Sequence, residues 1–150
     1  MRHLPKAPVE VVRDWLLRHP NSLYHWDWLP LKDMAFQRVA WTTEKILKSV
    51  RSPWPQASDS WCEELLDSPH HQTSSLGSYM IREGTWPVPP LVFVRGELTF
   101  PDDALFKGVK LSDYSLVEGH HRLGYLRTLA ARPRWTPQDE HFVWLFREPE

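Results

Sequence analysis

The sequence predicts an α+β fold in which a mostly helical N-terminal part, residues 1–85, precedes a small α/β core with a mixed sheet, residues 86–150. Two patterns lead to this prediction. Apolar residues recur at helical spacing up to Gly84, whereas short, continuous apolar runs typical of strands follow the segment WPVPP. The stretch SLVEGHHRLGYLRTL, from Ser115 to Leu129, then joins a strand to a helix through a glycine.

Composition limits the class of protein. A chain of 150 residues with 41% hydrophobic residues can bury one core, so we expect a single domain over residues 1–150. The net charge of −1 gives no overall basic field to attract nucleic acid. Cys62 is the only cysteine, which rules out an internal disulfide. With no signal peptide and no apolar run long enough to span a membrane, a soluble cytoplasmic protein is expected.

Helices dominate the elements predicted before Gly84. Most of them begin at a proline or a capping residue and carry an apolar stripe. In order, the predictions are a helix from Pro8 to His19, a helix from Asp33 through Val50, a short helix capped by Ser58 or Asp59, a loop from Ser68 to Ser75, and a helix from Leu76 to Glu83 that ends at Gly84.

The C-terminal part alternates strands with loops and one helix. Apolar β-branched and aromatic runs bounded by proline, glycine or aspartate indicate the strands. The predicted elements are a strand from Leu91 to Val94, a second from Leu98 to Phe100, a loop from Pro101 to Asp113, a strand from Tyr114 to Val117, a helix closed off by Pro133 and Pro137, and a final strand from His141 to Phe146.

The turn from Glu118 to Arg122, EGHHR, is the strongest candidate for a functional site. Because a helix begins here, its first N–H groups have no partner within the helix and the helix dipole favours a negative charge. Arg122 adds a planar fork suited to phosphate or carboxylate. The proposed ligand-binding residues are Gly119, His120, His121 and Arg122, and the proposed catalytic residues are Glu118 and His120.

Each of these residues also has a structural interpretation. Gly119 could serve only the tight turn, Arg122 an internal salt bridge, and Glu118 the helix dipole. Adjacent helical residues do not face one direction, so at most one of the two histidines points into a site. We expect His120 in the pocket and His121 in an orienting or core role.

The order of elements over about Pro87 to Phe146 resembles the ParB/sulfiredoxin superfamily: a proline-led strand, a loop, a strand ending in EGHHR, a helix and a final strand. In that family, a glycine followed within three residues by an arginine, here Gly119 and Arg122, holds nucleotide phosphates at a strand-to-helix junction. The resemblance therefore implies a protein that binds a nucleotide or another phosphate ligand.

Differences from the known branches narrow the activity that the resemblance implies. His120 stands where sulfiredoxins carry their reactive cysteine, and the chain has no room after the matched region for the DNA-binding domain of partition ParB proteins. Free-serine kinases have aspartate, glycine, histidine, threonine and arginine here; Glu118, Gly119, His120 and Arg122 are similar, with His121 replacing the threonine. Phosphoryl transfer or phosphodiester cleavage is the implied chemistry, with His120 or Glu118 as acid or base.

Two classes of function follow. The first is binding of a nucleotide or phosphorylated small molecule, with Mg²⁺ carried by the nucleotide and without a membrane; DNA is not expected as a partner without an additional domain. The second is a non-catalytic protein-interaction module, such as an antitoxin or immunity-type partner. The nine tryptophans and the lack of a complete catalytic set favour this second class. Most of the tryptophans are nevertheless expected in the core.

A dedicated metal site is not expected. The available side chains match no metal-binding template in their spacing, and two of the aspartates are expected to form turns. The side chains weighed are His70, His71, His120, His121, Asp102 and Asp103. The motifs GxSxG, Walker A, HExxH and CxxC do not occur in the chain.

Overall fold

A computed structural model describes residues 7–16, 18, 33–52, 63–94 and 113–147, without the side chain of Leu16. These residues form a mixed five-stranded β-sheet with several helices. The α+β class and the mixed sheet predicted from the sequence are therefore confirmed.

Helix α1 begins the described part of the chain and continues as a π-helical turn, Val12–Leu16. The bounds are α1, Val9–Val11; β1, Ala35–Thr42; α2, Thr43–Ser49; β2, Val50–Arg51; a 3₁₀ helix, Leu65–Asp67; α3, Pro69–Thr73; α4, Ser75–Glu83; β3, Leu91–Val94; β4, Tyr114–Glu118; α5, His120–Ala131; and β5, Glu140–Arg147.

The strand order in the sheet is β1-β5-β3-β4-β2. Strands β1 and β5 are antiparallel over eight residue pairs, from Ala35 opposite Arg147 to Thr42 opposite Glu140. Strand β3 runs parallel to β5 and antiparallel to β4, and β4 runs parallel to β2. Both outer strands, β1 and β2, come from the first half of the chain, so the two halves share one sheet.

The sheet has a hydrophobic cluster on each face because successive residues of a strand point to opposite sides. On β3, Val92 packs with α5 and its neighbours, whereas Leu91 and Phe93 pack with Trp15 of α1's π-helical turn. Helices α2, α4 and α5 therefore cover one face, and α1 with its π-helical turn covers the other. The start of α5 lies beyond the end of β4, between these two layers.

Two predictions for the N-terminal part are wrong. A strand and a separate helix, β1 and α2, occupy the region predicted as one helix from Asp33 through Val50. The loop predicted from Ser68 to Ser75 contains α3, which begins with Pro69 in its first turn. Pairing with β5 along its whole length holds β1 extended, and this long-range contact outweighs the local helical spacing of its apolar residues.

Other predictions agree closely with the structure. Strand β3 has the predicted bounds, and Gly84 ends α4 in the left-handed conformation with φ of 70°. Strands β4 and β5 and helix α5 lie where they were expected. Several predicted features fall outside the described residues: the helix cap at Ser58 or Asp59, the strand from Leu98 to Phe100, nearly all of the loop that follows it, and Cys62.

The described tryptophans lie in or against the core. Trp15, Trp41 and Trp86 are buried, and Trp135 and Trp144 are half-buried. In this part of the chain, the tryptophans thus serve packing rather than an open aromatic surface. None of the helices that the structure describes has the length and apolar character needed to cross a membrane.

Candidate anion site at the start of helix α5

Two separate constraints require glycine at position 119. Its φ is 106°, a region of backbone conformation that side chains with a Cβ rarely adopt. A Cβ at this position would also lie 2.7 Å from Cβ of Pro90. The prediction of a tight turn at Gly119 is therefore correct, and the close neighbour is the proline segment that leads into β3.

The first turn of α5 presents backbone donors. The first backbone hydrogen bond of α5 runs from the N–H of Leu123 to the carbonyl of Gly119, at 2.9 Å. Within the described part of the chain, no side chain caps this end of the helix. The N–H groups of the first turn thus resemble the donors that bind anions at other helix N-termini.

Arg122 stacks on α1's π-helical turn through the ring of Trp15. Its guanidinium carbon lies 4.6 Å from the centre of a Trp15 ring. Trp15 is itself buried and anchored, because its indole N–H donates to the carbonyl of Pro89 at 3.0 Å. The cation–π contact therefore holds the guanidinium over a rigid aromatic surface.

Neighbouring groups compensate the positive charge of the Arg122 guanidinium poorly. Its Nε is buried and has no hydrogen-bond partner among the residues described, and none of the described carboxylates lies within ion-pair distance of it. Burial lowers the pKa of Arg122, although the charges of Glu118 and Asp14 act in the opposite direction. The internal salt bridge considered for Arg122 is thus not formed in this part of the molecule.

The two nearby carboxylates differ in their surroundings. Asp14 accepts two hydrogen bonds from Arg13, at 2.7 and 2.8 Å, and these bonds lower the pKa of Asp14 below its usual value. Glu118 is only 7% exposed at the end of β4. Its charge attracts Arg122 from a longer range than an ion pair.

His120 lies on the opposite flank of the helix start from Arg122. Its Nε2 is 3.0 Å from Oγ of Ser52, the residue that follows β2. Burial, followed by the charge of neighbouring His121, lowers the pKa of His120. The ring is therefore neutral at pH 7 and can accept a proton.

His121 belongs to an aromatic group with Tyr125 and His71. Its ring stacks on Tyr125, with centroids 5.9 Å apart and planes 7° from parallel, and meets the edge of His71 at 5.7 Å. The Tyr125 hydroxyl is 2.6 Å from Nδ1 of His71. The structure separates the two histidines as expected, but His121 is exposed, so the suggestion of a core role is wrong.

The structure adds three residues that the sequence did not indicate: Trp15 under Arg122, Ser52 beside His120, and Pro90 against Gly119. Each is far from the EGHHR turn along the chain. No local spacing or motif marks them, because only the sheet pairing and the packing of α1's π-helical turn bring them together.

Among the described residues, no group of three or more histidine, cysteine, aspartate or glutamate side chains is placed to hold a metal ion. The rings of His70 and His71 are 5.4 Å apart, and His71 also contacts His121, but these rings contact one another edge to face. Asp102 and Asp103, weighed as ligands from the sequence, lie outside the described residues.

Comparison of the chain with protein-family models, with curated proteins and with solved structures found no match.

Proposed function

We propose that this chain is a ParB/sulfiredoxin-like protein that binds a nucleotide or another phosphate ligand at the turn from Glu118 to Arg122. The observation that supports the proposal most is the state of Arg122. Its guanidinium is half-buried, stacked on Trp15 and without a hydrogen-bonded acceptor among the described residues. Burial of a charge costs free energy unless an opposite charge and hydrogen bonds compensate it.

A phosphate at the start of α5 would supply that compensation. Its oxygens accept hydrogen bonds from the planar Arg122 fork and from the backbone N–H groups of the first turn. Each of these charge-assisted bonds is stronger than a bond between neutral groups, by about twofold. The same position also suits the negative charge because of the helix dipole.

The negative charge of Glu118 disfavours binding of an anion unless a cation accompanies the ligand. Its buried carboxylate repels a phosphate at short range. A nucleotide that carries Mg²⁺ avoids this repulsion, because Mg²⁺ binds phosphate and carboxylate oxygens together. We therefore expect tighter binding of a nucleotide with Mg²⁺ than without it, and the Glu118→Gln variant should depend less on Mg²⁺.

The chemistry available at such a site is phosphoryl transfer or phosphodiester cleavage. Arg122 and the backbone donors would stabilise the charge on the phosphate oxygens, and neutral His120 would act as the general base. His120 suits this role because burial lowers its pKa, so its ring is unprotonated at neutral pH.

A binding titration tests the proposal. We expect one or more of ATP, CTP, GTP and ADP, with Mg²⁺, to change tryptophan fluorescence and raise the melting temperature, because Trp15 lies directly under Arg122. Replacement of Arg122 by alanine should weaken binding by about 10- to 100-fold, which corresponds to the loss of one charge-assisted contact.

Arg134→Ala is the matched control. Arg134 also stacks on a tryptophan, with its guanidinium carbon 4.1 Å from the Trp135 ring, but it lies beyond the other end of α5. Binding should survive in this variant. If no nucleotide binds the unmodified chain, or if the two arginine variants lose binding equally, the proposed site is wrong. Product analysis with the Glu118→Ala and His120→Ala variants then separates a catalyst from a binder.

The alternative, a non-catalytic interaction module, makes a different prediction. Such a protein would bind one protein partner tightly and show no response to nucleotides. The described tryptophans do not favour it, since all five are buried or half-buried.

A further inference from the structure

Ser52 and His120 form a hydroxyl–imidazole pair at the first residue of α5, the helix whose N-terminus is the proposed anion site. The two residues are 68 positions apart in the chain, yet Ser52 Oγ lies 3.0 Å from His120 Nε2. Both residues are partly exposed. A hydroxyl within hydrogen-bond reach of a neutral imidazole is the arrangement that activates serine as a nucleophile.

The sheet topology explains why the pair lies at the anion site. Strand β2 runs parallel to β4, with Arg51 opposite Ser115, so both strands run toward the same edge of the sheet, and β4 continues three residues further, to Glu118. Ser52 leaves β2 at this edge, and Glu118 leads from β4 into α5 there. Ligands in α/β folds bind at the carboxyl ends of strands, next to helix N-termini.

His141 and Thr43 also form a hydroxyl–imidazole pair, but this pair has a purely structural role. His141 Nε2 lies 2.8 Å from the hydroxyl of Thr43, but this hydroxyl donates to the carbonyl of Gln138 at 2.7 Å. The Thr43 hydroxyl must therefore accept from the His141 ring. In addition, His141 is only 2% exposed. The Ser52–His120 pair differs because it is accessible and adjoins a helix N-terminus.

We propose that Ser52 is a nucleophile and His120 its general base, acting on a phosphate ester held at the start of α5. The nature of the substrate rests on the proposed function.

In the first step, Ser52 Oγ forms a bond to phosphorus while His120 Nε2 accepts the serine proton. The bond from phosphorus to the leaving oxygen breaks on the side of phosphorus opposite Ser52, that oxygen takes a proton from water, and protonated His120 releases its proton to solvent. In the second step, a water oxygen forms a bond to phosphorus while His120 accepts the proton of the water. The bond from phosphorus to Ser52 Oγ then breaks, which releases phosphate and restores the serine.

A fluorophosphonate probe tests the nucleophile without a known substrate. We expect covalent labelling of the unmodified chain at Ser52, with loss of fluoride and a mass increase that peptide mapping places on this residue. Replacement of Ser52 by alanine should abolish labelling, and His120→Gln should slow it by about 100-fold or more, because glutamine keeps a polar partner for Ser52 but accepts no proton.

Two controls distinguish a nucleophile from a structural hydrogen bond. Ser78→Ala removes an exposed hydroxyl on α4 and should label like the unmodified chain. The labelling rate should rise with pH through a midpoint below the ordinary histidine value of about 6.5, because burial lowers the pKa of His120. Equal melting temperatures of the Ser52→Ala and unmodified chains would show that lost labelling is not lost folding.

A protection experiment tests the assignment of the substrate. ATP with Mg²⁺ should protect Ser52 from the probe in the unmodified chain but not in Arg122→Ala. Labelling without protection would overturn phosphate esters as the substrate and would count against the proposed function. Arg122-dependent nucleotide binding without labelling of Ser52 would instead overturn the nucleophile and leave the proposed function intact.

Discussion

At the scale of single residues, Gly119 shows how one position supports the whole junction. The chain must leave β4, turn sharply and start α5 while it passes against Pro90. Only glycine satisfies both the φ of 106° and the lack of space for a Cβ. The position of the helix start, and with it the directions of His120 and Arg122, depends on this turn.

Replacement of Gly119 by alanine should destabilise the chain by about 3 kcal/mol. Backbone strain at positive φ costs about 1–3 kcal/mol, and the overlap with Pro90 adds to it. The free energy of unfolding, measured by urea titration, checks this value. The Pro90→Gly variant removes the atom that a new Cβ would contact, so it should recover part of the loss in the double variant. If the two changes are strictly additive, the overlap with Pro90 is not a cause.

At the scale of elements, the change from strand β1 to helix α2 occurs without a loop. Thr42 is the last residue of β1 and also the N-cap of α2, since its hydroxyl accepts from the N–H of Lys45 at 3.1 Å. The next residue, Thr43, is tied to the segment before β5 through its N–H and the carbonyl of Asp139, at 3.0 Å. These bonds set the point at which the edge strand ends.

Replacement of Thr42 by alanine should lower the free energy of unfolding by about 1 kcal/mol, because the cap of α2 is lost. Serine keeps the capping hydroxyl, so Thr42→Ser should lie within about 0.5 kcal/mol of the unmodified chain. Thermal and urea unfolding of the two variants provide the measurement. Equal destabilisation by alanine and serine would mean that the methyl group, and not the hydroxyl, matters at this position.

The prediction of one helix from Asp33 through Val50 also failed at the scale of elements. The apolar residues Phe36, Val39 and Ala40 match helical spacing, but in β1 Phe36 packs on one face of the sheet and Val39 on the other, while Ala40 is exposed. A strand with apolar residues on both faces can imitate a short helical stripe. Strand β3 lacks this ambiguity because its apolar run is short, rich in β-branched and aromatic residues, and preceded by prolines.

At the scale of the whole molecule, two histidines link stability to pH. Burial is the main cause that lowers the pKa values of His120 and His141 in the folded chain. Unfolding exposes these rings and returns their pKa values to about 6.5. The unfolded chain therefore binds more protons below that pH, which favours unfolding.

The free energy of unfolding should be nearly constant above about pH 7 and should fall as the pH drops below about 6.5. Urea titrations at about pH 8 and pH 5.5 test this expectation, and His141→Gln should reduce the difference between them. The Asp67→Asn variant is the control. Arg132 lowers the pKa of Asp67 below its usual 3.8, so loss of this carboxylate should act equally at both pH values. A chain that is more stable at the lower pH would contradict the assignment.

The sequence by itself determined the α+β class, the strands β3, β4 and β5, the end of α4 at Gly84, and the strand–glycine–helix junction at Gly119. These features depend on neighbouring residues: apolar runs, turn glycines and proline stops act within a few positions of the chain. The candidate residues from Glu118 to Arg122 could be named for the same reason.

Only the tertiary structure decided which residues surround that junction. Pairing with β5 made β1 a strand, the parallel pairing of β2 with β4 placed Ser52 beside His120, and the packing of α1's π-helical turn on the sheet placed Trp15 under Arg122. These contacts join distant segments, and their free energy comes from burial and sheet hydrogen bonds that no local pattern encodes. The EGHHR turn could thus be located from the sequence, but its aromatic support and its hydroxyl neighbour could not.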